Sequence, residues 1–206
     1  DDWITHTFRY GGAALTMQTV RDCFKLDVER YVRVNFNVVS KAIEKIGGVD
    51  IELTQAEADH LNNAKKNYYE SGSDIQTVHA GTNHLNGDTA MAYARIRKID
   101  SDWKRIERQR TVIQAAINQV KNSDIFTLNA LADAILPMVQ TNLTKAEITR
   151  LMLEVPAFLS EGSKMEQMTI PTYETCWNSV GVDGRKMIGV DFEANAQILR
   201  EFFYGT

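Results

Sequence analysis

Residues 38–57, with the sequence VVSKAIEKIGGVDIELTQAE, decide the fold class that the chain predicts. The segment opens with apolar side chains at helical spacing, and Gly47 and Gly48 then supply a common end of a helix. The residues after this pair alternate between apolar and polar side chains, which is typical of a strand with one buried face. Thr54 and Glu57 form a capping box that begins another helix. The order helix, strand, helix predicts a sheet with helices packed on it.

The rest of the chain continues this mixture of helices and strands. Further helices are expected at 15–24, 86–98, 102–120, 125–139, 145–159 and 191–203. Further strands are expected at 31–36, 75–79 and 165–170, and the polar segment 62–81 is expected to be an exposed loop. No repeat or low-complexity linker divides the chain. We therefore expect residues 1–206 to form a single α/β domain, with a mixed central sheet flanked by helices as an α-β-α sandwich.

Composition and charge narrow the class of protein. The 206 residues carry a formal net charge of -4, whereas a nucleic-acid-binding domain usually has an excess of Lys and Arg. No apolar run reaches the roughly 18 residues of a membrane span. The four histidines lack the close spacing of a zinc site. Cys23 and Cys176 leave two alternatives open, one disulfide or two buried free thiols.

Basic side chains are concentrated between residues 95 and 110. They are Arg95, Arg97, Lys98, Lys104, Arg105, Arg108 and Arg110. Only Asp100, Asp102 and Glu107 oppose them, so this segment is positive in an acidic chain. Arginine is the main contributor, and its rigid fork of donors matches pairs of phosphate oxygens. The segment therefore predicts an anion site, although a solvated helix face with local ion pairs would have a similar composition.

The spacing of these residues strengthens the prediction of an anion site. A helix that starts near Asp102 projects Arg105, Arg108 and Gln109 from one side. The start of that helix offers backbone N–H groups and the positive end of the helix dipole. Asp102 itself could cap the helix, hold a metal ion or accept a proton.

Five segments in one order resemble the LytR–CpsA–Psr family of Gram-positive cell-envelope proteins. They are 4–12 (ITHTFRYGG), 31–36 (YVRVNF), 47–51 (GGVDI), 85–97 (LNGDTAMAYARIR) and 102–110 (DWKRIERQR). The segments 85–97 and 102–110 are specific to this family. Beyond residue 110, the resemblance is limited to helical character. The resemblance implies an enzyme that transfers a polyprenyl-pyrophosphate-linked glycopolymer, of teichoic acid or capsule type, to a muramic acid hydroxyl of peptidoglycan with the help of Mg²⁺.

The resemblance also implies roles for individual residues. Arg95, Arg97, Arg105 and Gln109 match the positions that hold the pyrophosphate in the family, and Arg9 is a further candidate, with Arg33 a weaker one. Asp102 matches the carboxylate that is proposed to activate the acceptor hydroxyl. Asp102 and Arg105 are therefore the expected catalytic residues.

One departure from the family concerns the metal. The Pro-Arg-Asp-Thr segment of the family, which supplies an arginine and a metal-binding aspartate, is expected upstream of Ile4 and is absent from this sequence, as is an earlier strand. We therefore expect an N-terminally truncated domain with weak metal binding and little activity of its own, and we assign no metal ligand to it. The resemblance places the full-length protein outside the cytoplasm, held by an N-terminal membrane anchor.

Alternatives to a transferase remain open at this point. A module that binds polyprenyl phosphate or wall polymer without turnover fits the missing segment, and a transcriptional attenuator fits less well because of the acidic charge. The apolar stripes within 112–120 and 125–139 predict core packing or the lining of a lipid tunnel. A truncated sheet would also leave an open edge through which two copies could pair as a homodimer.

Overall fold

The computed structural model describes residues 3–64, 73–158, 160, 166–181 and 183–205. The helices are α1 (Thr7–Phe24), α2 (Phe36–Lys45), α3 (Gln55–Ala64), α4 (Gly87–Ala94), α5 (Asp102–Lys121), α6 (Ile125–Ile135), α7 (Lys145–Phe158) and α8 (Phe192–Tyr204). The strands are β1 (Val32–Arg33), β2 (Val49–Leu53), β3 (Gly81–Leu85), β4 (Gln140–Thr141), β5 (Cys176–Val180) and β6 (Lys186–Val190). Short 3-10 turns occupy Ile4–His6 and Leu136–Met138.

The chain packs into two units. The first comprises Asp1–Tyr31, Thr141–Thr144 and Lys164–Thr206, and the second comprises Val32–Gln140 and Lys145–Ser163. The expectation of one domain over residues 1–206 stays a prediction. None of the helices in the described ranges is long and apolar enough to cross a membrane.

The α2–β2 segment forms as its sequence predicts. Asn35 caps α2 by accepting a hydrogen bond from the Val38 backbone N–H at 2.9 Å. Alternate side chains of β2 are buried, as expected for a strand with one face on the core. The Thr54 N–H donates to the Glu57 carboxylate at 2.9 Å, and the Glu57 N–H donates to the Thr54 hydroxyl at 3.3 Å. The predicted capping box is therefore confirmed.

One core holds the second unit together. Its buried side chains are Ile43, Ile46, Val49, Ile51, Leu53, Ala58, Leu61, Ile75, Val78, Leu85, Ala90, Ala92, Tyr93, Ala94, Ile96 and Val112. Helix α4 supplies several of them and lies very close to α2: a Cβ on Gly87 would sit 2.0 Å from the Ser40 carbonyl oxygen. Glycine is therefore required for this approach. The contact fixes α4, whose C-terminal end carries Arg95.

The first unit is formed by α1, the β5–β6 hairpin and α8. Phe24 and Phe192 pack edge to face with their ring centroids 5.5 Å apart. The fully buried Asn195 side chain donates to the Asp191 carbonyl at 2.6 Å and accepts from the Thr175 hydroxyl at 3.0 Å. These bonds satisfy an amide that would otherwise be costly to bury. Cys23 and Cys176 are free thiols, so the disulfide alternative is not realised.

The α/β class is confirmed, while the arrangement of strands differs from the expected central sheet. The strands of the described residues pair as three two-stranded ladders, β1 with β4, β2 with β3 and β5 with β6. The last two are antiparallel. Each described strand has at most five residues, and each is paired along one edge only.

Two of the predicted strands do not form in the described residues. Residues 166–170 form no strand, and Met165 lies outside the described residues, as do residues 65–72 of the expected loop. Residues 75–79 are also no strand, because side chains take the place of a neighbouring strand. The Gln76 N–H donates to the Thr89 hydroxyl at 2.9 Å, and the Val78 N–H donates to the Asn62 side chain at 3.0 Å.

Two further boundaries were wrong for reasons visible in the backbone. The helix expected at 15–24 begins earlier, at Thr7, because Gly11 and Gly12 leave helical geometry only locally and helical residues continue on both sides of them. The expected strand at 31–36 is reduced to β1, because Asn35 begins α2 as its N-cap.

His84 on β3 is expected to make the stability of the fold pH-dependent. Its Nδ1 lies 2.7 Å from the Asp50 carboxylate, and its Nε2 lies 2.7 Å from the Gly47 carbonyl oxygen. Both partners are acceptors, so the protonated ring fits best. The hydrogen bond with Asp50, followed by that with Gly47, raises the pKa of His84.

A raised pKa in the folded state means that this stabilisation is complete below the unfolded value of about 6.5 and is lost as pH rises through the folded value. We expect the urea midpoint of the wild type to fall between about pH 5.5 and about pH 8.5. The variant His84→Gln should lose part of that pH dependence. Equal pH dependence in both proteins would contradict the assignment to His84.

Candidate functional site

The predicted arginine pair lies on the segment that joins α4 to α5. Arg95 is the C-terminal cap of α4, and residues 96–101 form neither helix nor strand. Ile96 is 1% exposed and enters the core, whereas Arg95 and Arg97 on either side of it are exposed. The expected helix at 86–98 therefore ends early, and the buried Ile96 leaves both arginines directed away from the core.

A buried arginine holds this segment in place. Arg108 on α5 is 3% exposed. Its two terminal nitrogens each donate to one oxygen of the Asp100 carboxylate at 2.7 Å. Nη2 also donates to the Ile96 carbonyl at 2.9 Å, and Nη1 donates to the Glu57 carboxylate at 3.3 Å. The two hydrogen bonds from Arg108 hold the pKa of the Asp100 carboxyl below its usual range.

At the N-terminus of α5, the guanidinium groups of the exposed Arg97 and the partly buried Arg105 meet one carboxylate. Arg105 Nη1 donates to Asp102 Oδ1 at 2.6 Å, and Arg97 Nη2 lies 3.6 Å from the same oxygen. Asp102 and Arg97 are mostly exposed, and Arg105 is 22% exposed. Helix α5 begins at Asp102, which therefore lies in its first turn, where the positive end of the helix dipole favours negative charge.

Asp102 is not the helix cap, which was one of the roles considered for it. Ser101 is the cap, and its hydroxyl accepts from the Lys104 N–H at 3.4 Å. Because Ser101 accepts the capping hydrogen bond, the Asp102 carboxylate is available to Arg97 and Arg105. The three side chains form a group in which two cations surround one anion at a helix N-terminus, an arrangement suited to a ligand with more negative charge than a single carboxylate.

The other predicted site residues lie in different surroundings. Arg95 stacks on the ring of Phe36, with its guanidinium carbon 4.8 Å from the ring centroid, a cation–π contact. Gln109 is exposed on α5 in the turn after Arg105. Arg33 on β1 donates to the Gln140 side chain at 2.8 Å. Arg9 is exposed on α1 in the first unit, so the group around Asp102 is formed by second-unit residues only.

Arg105, Arg108 and Gln109 project from one side of α5, as predicted, but Arg108 is buried. Successive helical residues are rotated by roughly 100°, so Arg108 and Gln109 lie on either side of the direction of Arg105. The structure directs Arg108 into the core and Gln109 to solvent, with Arg105 partly buried between them. Counting charges could not separate these three positions, because burial depends on what packs against the helix.

Three residues of this region were missed from the sequence. Phe36 supports Arg95, and Asp100 and Glu57 neutralise Arg108. Glu57 had been recognised only as a capping residue, a role that it also keeps. The one available signal was the acidic Asp100 between Arg97 and Arg105, which was counted only as an opposing charge.

The described residues do not fit a magnesium site by themselves. They contain no group of three or more His, Cys, Asp or Glu side chains that could hold a metal ion. The Asp102 carboxylate is already neutralised by two arginines, whereas Mg²⁺ prefers oxygen ligands whose charge is uncompensated. The requirement for Mg²⁺ stays a prediction.

The comparison with protein families gives a match over almost the whole chain. The model described as the LytR_cpsA_psr family matches residues 1–202. Among curated relatives, the polyisoprenyl-teichoic acid–peptidoglycan teichoic acid transferase TagU of Halalkalibacterium halodurans is 32% identical over 146 residues, which cover 69% of this chain and 44% of that protein. The corresponding enzyme TagV of Bacillus subtilis is 28% identical over 172 residues, which cover 81% of this chain and 41% of that protein. The chain thus spans less than half the length of these two relatives.

The comparison with solved structures agrees on the fold. The crystal structure of B. subtilis TagT matches with a TM-score of 0.70 and 22% identity, covering 97% of this chain and 71% of that one. At this identity the likeness concerns the fold alone.

Removal of the buried guanidinium is expected to destabilise the second unit strongly. In Arg108→Met, the Glu57 and Asp100 carboxylates lose their shared cation, and breaking a buried pair in this way costs about 3–5 kcal/mol. We expect urea titration to show that the free energy of unfolding of Arg108→Met is lower than that of the wild type by about this amount. The control is Arg150→Met on α7, where an 83% exposed arginine pairs with Glu154 and should contribute little. Equal losses in both variants would contradict the role of Arg108.

Proposed function

The chain belongs to the LytR_cpsA_psr family, and on that basis we propose that it is the transferase part of an enzyme that attaches a polyprenyl-pyrophosphate-linked glycopolymer to peptidoglycan. The polymer would be of the teichoic acid or capsule type. The relatives TagU and TagV, whose names describe teichoic acid transfer to peptidoglycan, support this substrate class. The family resemblance supports an extracytoplasmic location in a Gram-positive bacterium, a membrane anchor and a requirement for Mg²⁺ as parts of the same proposal.

One observation carries the proposal: Arg97 and Arg105 converge on a single carboxylate oxygen at the N-terminus of α5. A phosphoryl oxygen in the place of that oxygen would receive donors from both guanidinium groups. Arginine donors arranged in this way neutralise the charge that develops on a phosphoryl group during transfer. A pyrophosphate carries two such groups, and Arg95 and Gln109 are the proposed additional ligands.

In the proposed reaction, an acceptor hydroxyl of peptidoglycan attacks the phosphorus that bears the glycopolymer. A bond forms between the acceptor oxygen and this phosphorus, and the bond from phosphorus to the bridging oxygen of the pyrophosphate breaks. Polyprenyl phosphate leaves with the bridging oxygen, and the hydroxyl proton passes to the Asp102 carboxylate. The exposure of the Asp102 carboxylate beside both arginines supports this role.

The second candidate is a module that binds polyprenyl phosphate or wall polymer without turnover. The observation in its favour is that Arg105 and Arg97 both engage the Asp102 carboxylate, an arrangement that suits anion binding and, among the described residues, leaves no separate general base beside the two arginines. A transcriptional attenuator is the weaker alternative, because the acidic net charge of -4 disfavours contact with DNA.

The substitutions Arg97→Ala and Arg105→Ala are expected to weaken the binding of a polyprenyl pyrophosphate. Each removes charge-assisted hydrogen bonds, so each should lower the affinity by about tenfold or more. Titration in detergent micelles measures this, with Arg150→Ala on α7 as the control that removes an exposed arginine elsewhere. Unchanged affinity after both site substitutions would contradict the assignment of the site.

A transfer assay with glycopolymer donor, peptidoglycan and Mg²⁺ separates the candidate functions. Product formation that Asp102→Asn abolishes, while donor binding is retained, supports the transferase. Binding without product favours the binding module. Tight binding of a DNA duplex with weak binding of the lipid would favour the attenuator.

A further inference from the structure

A cavity of about 810 Å³ lies in the first unit, between the end of α1 and one face of α8. Its volume is within the range of roughly 300–1,000 Å³ that is usual for small-ligand sites. Cys23 on α1 and the Phe192 and Ala196 side chains on α8 form an apolar part of its lining. The edge-to-face contact of Phe24 with Phe192 joins the two helices at this place. The cavity is therefore formed by residues of one unit alone.

The lining of this cavity also carries charges of both signs. Asp22 and Glu193 are acidic, and Lys25 and Arg200 are basic. The Lys25 ammonium is already engaged, because it donates to the Asp22 backbone carbonyl at 2.6 Å. No ion pair among the described residues includes the side chain of Asp22, Glu193 or Arg200. The cavity therefore offers both an uncompensated cation and uncompensated carboxylates to a ligand.

The spacing along α8 separates its two charges by a defined length. Glu193 and Arg200 are seven residues apart, which is nearly two helical turns, so they project from the same side of the helix. A rise of 1.5 Å per residue places their Cα atoms about 10 Å apart. Gln197 lines the cavity between them, and its side-chain amide can both donate to and accept from a peptide backbone. One helix face thus presents a carboxylate, an amide and a guanidinium in a row.

We propose that this cavity binds a short, extended peptide that has a free amine at one end and a free carboxylate at the other. The amine pairs with Glu193, and the carboxylate pairs with Arg200, whose fork of donors matches two carboxylate oxygens. An extended chain spans at most about 3.3–3.6 Å per residue, so about three residues reach from one charge to the other. A ligand with a single charge can use only one end of this face.

The proposed function supplies a source for such a peptide, and this part of the inference rests on it. Peptidoglycan contains short peptides that carry a side-chain amine and a terminal carboxylate, so the proposed acceptor has the required chemistry. The cavity is then a subsite for the peptide part of the acceptor. Its residues belong to the first unit, whereas the arginines proposed to hold the pyrophosphate, Arg97 and Arg105, belong to the second.

The test titrates the 206-residue chain with trialanine, N-acetyl-trialanine and trialanine amide, and follows the NMR shifts of the α8 backbone amides. In the wild type, either cap should weaken binding by about fivefold. The acetyl cap should have no further effect in Glu193→Gln, and the amide cap should have none in Arg200→Gln, because cap and substitution remove the same ion pair. The matched controls are Glu154→Gln and Arg150→Gln on α7, which should bind all three peptides as the wild type does.

Two results overturn the inference. One is a wild type that binds the three peptides with equal affinity or binds none of them. The other is a cap effect that is as large in Glu193→Gln and Arg200→Gln as in the wild type, since the charges on α8 would then not be the partners of the peptide ends.

A second titration identifies the source of the peptide. Its ligands are the disaccharide of peptidoglycan with its peptide attached and the same disaccharide without the peptide. Shifts in α8 with the peptide-bearing fragment alone, reduced in both cavity variants, support the acceptor subsite. Binding of trialanine without binding of that fragment overturns the link to the acceptor. The binding of polyprenyl pyrophosphate, which tests the arginine site of the proposed function, is measured separately and fails or succeeds independently of these results.

Discussion

The second unit depends on one buried cation. Arg108 brings together Glu57 at the start of α3, Asp100 before α5 and the carbonyl that follows α4, so three parts of the chain meet at one guanidinium. A buried charge has to be paired, and here two carboxylates and a carbonyl accept from the two terminal nitrogens of Arg108, while its Nε has no partner among the described residues. The segment that carries Arg97 and the helix that carries Arg105 are therefore held by an interaction that is buried from solvent.

The sequence was informative about structure wherever the cause of that structure is local. The α2 helix, the β2 strand and the Thr54–Glu57 capping box depend on near neighbours, and all three are present. Strand β3 was missed because one of its buried positions is Asn83, whose amide is satisfied by the His79 carbonyl at 2.7 Å, so the apolar alternation is broken. The partner is only four residues away, but apolar periodicity does not register a buried polar side chain, even where its hydrogen bonds are local.

The candidate site, too, could be predicted from the sequence only in part. Its location between Arg95 and Gln109 follows from the density of arginine and from the family resemblance, both of which are visible in the sequence. Which arginine would be buried does not follow, because Arg105 and Arg108 have the same chemistry and differ only in what packs on their sides of α5. The stacking of Arg95 on Phe36 likewise depends on the packing of α2 against α4.

The pairing of Asp102 with Arg97 and Arg105 means that the protein carries its own competitor for the site. A carboxylate tethered to the same helix is present at a high effective concentration, so any incoming anion must displace it. A small monovalent ion such as chloride or acetate carries only one charge, so it competes weakly with the Asp102 carboxylate. A ligand with several charged oxygens binds both arginines more strongly and can displace that carboxylate. At the proposed site, the internal carboxylate therefore favours ligands with several charged oxygens over monovalent anions.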